Sequence, residues 1–312
     1  MTLGPIELFL IGVALAAAGG ELFVRGTVGL AERSGIPPAL IAVTVAAFAT
    51  SSPELVVAID SARAGVPQIA LGNALGANVV NIALVFGLAL LVAPAKLTRG
   101  SPRRDLPAAL ALPAATALFS ATGVLSRVAA LGLATVFVAW LTLTVREMAA
   151  RAGDVHPRPG SGGSLRRWAL VALAGVAMLW AAGDAIVAGA SMLAERRGWD
   201  PFVVGATLVA LGTTTPELAT MIVSRLKGHD EVGAGTLLGS CMFNGGLIIP
   251  VAALITPIAT DLRDVAIPLG AGVVSILVLL SVRGPVAGRT HGALLVGCYL
   301  AYIALLAAGR QG

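Results

Sequence analysis

Apolar residues in this chain run in long stretches separated by short polar breaks. A stretch of about 20 apolar residues is long enough to cross the hydrocarbon core of a bilayer as a helix. Ten such stretches lie near 4–20, 38–64, 70–93, 106–124, 126–145, 167–189, 201–225, 233–255, 264–282 and 290–308. The pattern predicts an all-α integral membrane protein of about ten transmembrane helices. The longest polar stretch, 146–167, carries Arg146, Arg151, Arg158, Arg166 and Arg167 and a Gly/Ser run at 160–164. It reads as a linker between two halves, 1–148 and 167–312, with 149–166 between them.

Two of the apolar stretches are interrupted in the same way. One holds Ala49-Thr50-Ser51-Ser52-Pro53-Glu54-Leu55 and the other Gly212-Thr213-Thr214-Thr215-Pro216-Glu217-Leu218. Proline breaks the helix and frees carbonyl oxygens, here those of Ala49 and Gly212 and their neighbours. A carboxylate at membrane depth is costly and marks a functional site. Glu54 lies 16 residues after Pro38, about 24 Å along a helix, so it sits well inside the hydrocarbon core. Carboxylate, hydroxyls and freed carbonyls together are the oxygen ligands of a hard cation.

The two interruptions belong to one internal repeat. An offset of 163 carries Glu54 to Glu217, Gly20 to Gly183, Gly35 to Gly198, Pro38 to Pro201, Gly65 to Gly228, Gly72 to Gly235, Gly76 to Gly239 and Asn81 to Asn244. It also carries Leu30-Ala31-Glu32-Arg33 to Leu193-Ala194-Glu195-Arg196. The copies lie five spans apart, and five is odd, so they enter the membrane in opposite directions. Two inverted five-helix repeats with a midplane site are a common transporter plan. The helix after each glutamate carries Gly72-Asn73-Ala74-Leu75-Gly76-Ala77-Asn78-Val79-Val80-Asn81 in one copy and Gly235-Thr236-Leu237-Leu238-Gly239-Ser240-Cys241-Met242-Phe243-Asn244 in the other. Their glycines permit close backbone approach, and their amides, Asn78 and Asn81 on one face and Asn244 in the other copy, either orient or ligate a cation or hydrogen-bond between helices.

On these residues the chain resembles the cation/calcium exchanger superfamily, whose sodium/calcium exchangers carry two inverted repeats. The resemblance implies Glu54 and Glu217 as the main calcium ligands, with oxygen from Thr50 and Thr213. It implies sodium ligation around Ala47, Ser51, Ala210, Thr214 and Ser240, with Asn81 and Asn244 facing the same centre. Three positions depart from the family pattern: Asn244 where many sodium-coupled members have aspartate, Ala77 where serine is common, and Cys241 where asparagine is common. Two glutamates are neutralised equally by one calcium ion, two sodium ions or two protons.

Composition narrows the classes. The chain is 57% hydrophobic and 12% charged, half the charge of an ordinary soluble domain. The net charge of +5 therefore bears on orientation rather than on nucleic acid. Arg25, Arg33, Lys96, Arg99, Arg103, Arg104, Arg146 to Arg167, Arg225, Lys227, Arg283 and Arg289 fall in one set of loops, and fewer basic residues fall in the other. This predicts an inner-membrane protein with a cytoplasmic 146–167 linker and both termini outside. Two cysteines give no disulfide framework, and Cys241 reads as a packing residue. No nucleophile–base pair or nucleotide loop is present, so an enzyme is not expected; nor is a cofactor or an obligate protein partner. The expected function is calcium–sodium antiport by alternating access, the first span of each repeat sliding over a fixed core. Proton or other-cation coupling on the same fold is the alternative, followed by a membrane sensor or scaffold with a structural ion. Glu21, Asp184, Asp60, Asp230 and Glu231 read as solvated or vestibular acids, and His156, His229 and His291 as loop residues.

Overall fold

The computed structural model describes residues 4–34, 36, 38–96, 102–152, 164–194, 201–282 and 286–308. The described residues are mostly helical: α1 (Pro5–Ser34), α2 (38–50), α3 (Ser52–Arg63), α4 (Gln68–Val92), α5 (Pro102–Ser120), α6 (Arg127–Ala152), α7 (Leu165–Ala194), α8 (201–213), α9 (Thr215–Leu226), α10 (230–255), α11 (Leu262–Leu280) and α12 (Arg289–Ala308). Seven spans in the described residues are long and apolar enough to cross a membrane, and α2 with α3, bent by 48°, makes an eighth. The expected spans near 106–124 and 264–282 are helices whose apolar parts, Ala111–Ser120 and Val265–Leu280, are shorter. The protein is an all-α, multi-pass membrane protein.

Several boundaries differ from the sequence reading. The first helix runs on to Ser34 instead of ending near residue 20, and α6 runs through Arg146 to Ala152. Residues 153–163 of the expected linker, including His156, lie outside the described residues, as do Glu195, Arg196 and Gly198. Glycines explain the first difference. A Cβ at Gly26 would stand 2.3 Å from the backbone of Ala172, and one at Gly19 3.0 Å from that of Gly175. Gly19, Gly26 and Gly29 are thus not helix ends; they let α1 lie directly on α7. Gly29 meets Trp168, Gly26 meets Ala172 and Gly19 meets Met178, so the two helices run antiparallel.

Elements separated by 163 residues have the same local structure. π-helical turns occur at Ala42–Ala46 and Gly205–Val209, and again at Val80–Val85 and Asn244–Ile248. Gly65 and Gly228, which follow α3 and α9, both take positive φ, +79° and +76°, where a side chain would be strained. Cross-contacts repeat as well: Gly76 abuts Ala206, and Gly239 abuts Val43 and Ala47. Gly72 meets Phe202 and Gly76 meets Ala206, so α4 runs parallel to α8.

Each half also contributes to two short antiparallel ladders. Strand β1 (Ala95–Lys96) pairs with β4 (Val286–Ala287), with Ala95 opposite Ala287. Strand β2 (Val124–Leu125) pairs with β3 (Ile258–Ala259), with Leu125 opposite Ile258. Arginines close the neighbouring helix ends. Arg127 donates to the Leu254 and Ile255 carbonyls at 2.9 and 3.2 Å, and Arg225 to those of Ala93 and Pro94. The Leu254, Ile255 and Ala93 carbonyls are among the orphan acceptors at the C-termini of α10 and α4, and Pro94 follows just beyond.

Candidate functional site

The centre of the molecule is where the two helix breaks meet. Ser51 ends α2 at φ −84°, ψ 7°, and Thr214 ends α8 at φ −78°, ψ 0°. Pro53 and Pro216 stand in the first turn of α3 and α9, where a missing N–H is tolerated. Glu54 and Glu217 share those turns, at the positive ends of the helix dipoles. Both are 1% exposed, and they are neighbours.

The hydroxyls expected around them divide unevenly. Ser240 Oγ donates to Glu217 Oε1 at 2.8 Å, and Ser51 Oγ reaches the same oxygen at 3.4 Å. Thr50 Oγ1 lies 3.4 Å from Ser240 Oγ and donates to the Ala47 carbonyl at 3.3 Å. Thr213, beside Glu54, donates to Asn73 Oδ1 at 3.1 Å and to the Ala210 carbonyl at 3.4 Å. Thr214 Oγ1 is committed to the Ala210 carbonyl at 2.5 Å. The carbonyls of Ala47 and Ala210 therefore already accept from their own helices. That of Ala49, expected to be freed by Pro53, accepts from Ser52 Oγ at 2.7 Å.

What the interior leaves unsatisfied is more telling. Both oxygens of Glu54, Oε2 of Glu217, both amide atoms of Asn81 and Oδ1 of Asn244 are buried without a hydrogen-bond partner. Buried polar atoms are almost always paired, and an unpaired group marks the place of a ligand or ordered water. Five of these six atoms are oxygens, on residues from both halves, and the sixth is Asn81 Nδ2. Among the described residues no group of three His, Cys, Asp or Glu side chains gathers as a metal cluster. The donor set is therefore two carboxylates completed by neutral oxygen, which suits a hard cation.

Three more residues belong to the same region, of which Asn78 is one of the amides already expected to orient or ligate a cation. Asn73 holds Thr213, Asn78 accepts from Asn244 Nδ2 at 2.9 Å, and Thr220 keeps a buried, unpartnered hydroxyl one turn from Glu217. Asn73 belongs to the motif on α4, but its copy-related residue is Thr236, so the repeat does not mark it. Thr220 had a weaker signal, a hydroxyl three residues after the glutamate.

The acids expected to be solvated are placed as follows. Glu21 pairs with Arg25 at 2.5 Å and with Lys227 of the α9–α10 turn at 2.6 Å, linking α1 to that turn. Asp230 lies 3.6 Å from Arg225, and Asp60 and Asp184 are exposed.

Twin helix breaks, each presenting a buried carboxylate to the other, thus lie at the centre of a multi-pass membrane protein. Comparison places it in a family. The sodium/calcium exchanger protein family matches residues 5–146 and 167–308, and the chain belongs to that family, a class of membrane antiporters. Inner membrane protein YrbG of Escherichia coli is 31% identical, covering 96% of this chain and 95% of that one. The putative antiporter CaxA of Alkalimonas amylolytica is 29% identical, covering 95% and 97%. The fold is that of the sodium-calcium exchanger NCX_Mj, solved after soaking with sodium and strontium, at a TM-score of 0.80 and 24% identity over 97% of this chain and 99% of that one.

Proposed function

We propose that this protein is an inner-membrane antiporter that exchanges calcium for sodium by alternating access. Its cation site is formed by Glu54, Glu217, Thr50, Thr213, Ser51, Thr214, Ser240, Asn81, Asn244, Ala47 and Ala210. The observation that carries the reading is the pair of buried, neighbouring carboxylates, three of whose four oxygens have no partner. Two ionised carboxylates cannot remain together in a medium of low dielectric without a counter-charge. One divalent cation neutralises them, and so do two sodium ions, so either can occupy the pair in turn.

The architecture proposed for it is ten spans in two inverted repeats, 1–148 and 167–312, joined by 149–166 on the cytoplasmic side, with both termini outside. The antiparallel course of α1 and α7 supports the inversion, since these are the first helices of the two copies. So does the parallel course of α4 and α8, the third and seventh spans in that topology. Alternating access is assigned to α1 and α7 moving together. They pack on each other through glycine, and meet the core through small or aliphatic residues such as Ala16, Ala46, Ala182 and Ala219.

A second reading, proton coupling, is favoured by one feature. Asn81 and Asn244 are amides, so the centre carries two formal charges, and two protons discharge it as fully as two sodium ions. Purified protein in liposomes separates the readings. Calcium uptake driven by an imposed sodium gradient supports sodium exchange, and uptake driven only by a proton gradient supports the second. No calcium flux under either gradient would refute both.

A further inference from the structure

A backbone carbonyl in the second half of the molecule decides which way two side-chain amides face. Asn78, half-buried on α4, donates Nδ2 to the Cys241 carbonyl of α10 at 3.4 Å. A carbonyl only accepts, so the nitrogen of Asn78 must face it and Oδ1 must face away. Asn244 approaches that Oδ1 at 2.9 Å. An amide oxygen also only accepts, so Asn244 must offer its nitrogen, which turns its own oxygen in another direction. That oxygen, Asn244 Oδ1, is buried and unpartnered. Asn244 is one helical turn beyond Ser240, and Ser240 is bonded to Glu217, so both residues lie on the helix face that meets the carboxylates.

The copy-related arrangement lacks this relay. Asn81 corresponds to Asn244, but the residue corresponding to Asn78 is Cys241. A thiol is a weak donor and a weak acceptor, and both amide atoms of Asn81 are left without partners. Few other polar side chains stand near Asn78 among the described residues. It lines a small cavity of about 30 Å³ in which Thr116 and Cys241 are the other polar side chains, and the Thr116 hydroxyl is held by the Leu112 carbonyl at 2.8 Å.

We infer that Asn78 is a positioning residue for the cation site: it relays the direction of the Cys241 carbonyl to Asn244 and holds Asn244 Oδ1 as a fixed neutral ligand for a hard cation, a relay that the copy-related Asn81, with Cys241 in place of Asn78, does not have. The inference rests on the cation-exchange reading above and names a residue that reading does not use.

The experiment is a double-mutant cycle read by calcium and sodium titrations of the thermal stability of the purified protein. Asn78→Cys is the main variant, because it installs the residue that the other copy carries; Asn78→Ala is its companion. Either is expected to weaken calcium binding about ten-fold in the native background, the usual cost of losing the group that orients a ligand. In an Asn244→Ala background the same change is expected to have almost no effect, because there is no longer an oxygen to orient. An equal loss in both backgrounds means that Asn78 only packs, and overturns the inference. Unchanged affinity in the native background overturns it as well. If the unmutated protein is not stabilised by calcium or sodium at all, the exchange reading falls together with it. Stabilisation of the unmutated protein without coupling between 78 and 244 removes the inference alone.

Discussion

Glu54 and Glu217 are held in a place that costs free energy to fill with charge. An unpaired buried carboxylate costs several kcal/mol, and here two face each other. Replacing either by glutamine keeps the shape and the oxygen but removes half of the site's charge. Glu54→Gln and Glu217→Gln are each expected to abolish calcium exchange in liposomes while the purified protein stays monodisperse. Without ions, both are expected to melt no lower than the native protein, since the mutual repulsion is gone. Wild-type flux in either folded variant removes that residue from the site. Protons act on the same pair. Each proton bound to a carboxylate cancels one charge, so calcium affinity is expected to fall as pH is lowered, and calcium binding independent of acidic pH counts against the pair as ligands. Asn244→Asp is a further test of charge. It adds a third carboxylate and also sets an oxygen against Asn78 Oδ1, where Asn244 now donates. Sodium dependence is expected to change more than calcium selectivity, in flux measured over a range of sodium concentrations.

At the scale of the helix, the elements that meet at the site depend on glycines with no room for a side chain. A Cβ on Gly76 would stand 2.4 Å from the Ala206 carbonyl oxygen, inside a π-turn whose carbonyl also accepts from Tyr302 Oη at 2.7 Å. Backbone cannot yield there as a flexible side chain would. Gly76→Ala is expected to part α4 from α8 and to lower the melting temperature sharply or prevent folding. Gly65→Ala, in open space but at positive φ, is expected to cost only about 1 kcal/mol. Equal losses would show that the close crossing is not what fixes these helices. The same elements show what the sequence can and cannot convey. The Pro-Glu breaks were legible because a proline and an acid inside an apolar run have few other uses. Helix ends were less so. Gly19-Gly20 suggests an end when the packing partner, α7, is unknown, and Arg146 looks alike at a helix end and in a linker. The π-turns leave no trace in hydrophobic periodicity, because one extra residue in a turn changes it too little. The importance of Asn73 and Asn78 lies in partners 140 and 166 residues away, and the repeat gave no help where its copies differ, as with Asn73 and Thr236 or Asn78 and Cys241.

For the whole molecule, the proposal requires that α1 and α7 move as one body against the core, and two engineered crosslinks distinguish that motion from others. A Cβ on Gly20 would lie 3.1 Å from Cβ of Ala219 on α9, and one on Gly19 would lie 3.0 Å from Cβ of Met178 on α7. Both separations reach disulfide range, about 3.5–4.5 Å between Cβ atoms, with a few tenths of an ångström of adjustment. Both are built after Cys241 and Cys298, the two native cysteines, have been replaced and the resulting protein shown to transport. Gly20→Cys with Ala219→Cys ties the moving pair to the core. Oxidation is expected to stop calcium flux, and a reductant to restore it. Gly19→Cys with Met178→Cys ties α1 only to α7, so flux is expected to survive oxidation once mass spectrometry has shown the bond to be complete. Flux that survives a complete Gly20–Ala219 crosslink would mean that α1 is fixed to the core during transport. Flux lost on oxidation of the Gly19–Met178 pair would mean that α1 and α7 must slide past each other. Either result removes the rigid-pair motion, while the glutamine variants at Glu54 and Glu217 continue to test the site without reference to how access alternates.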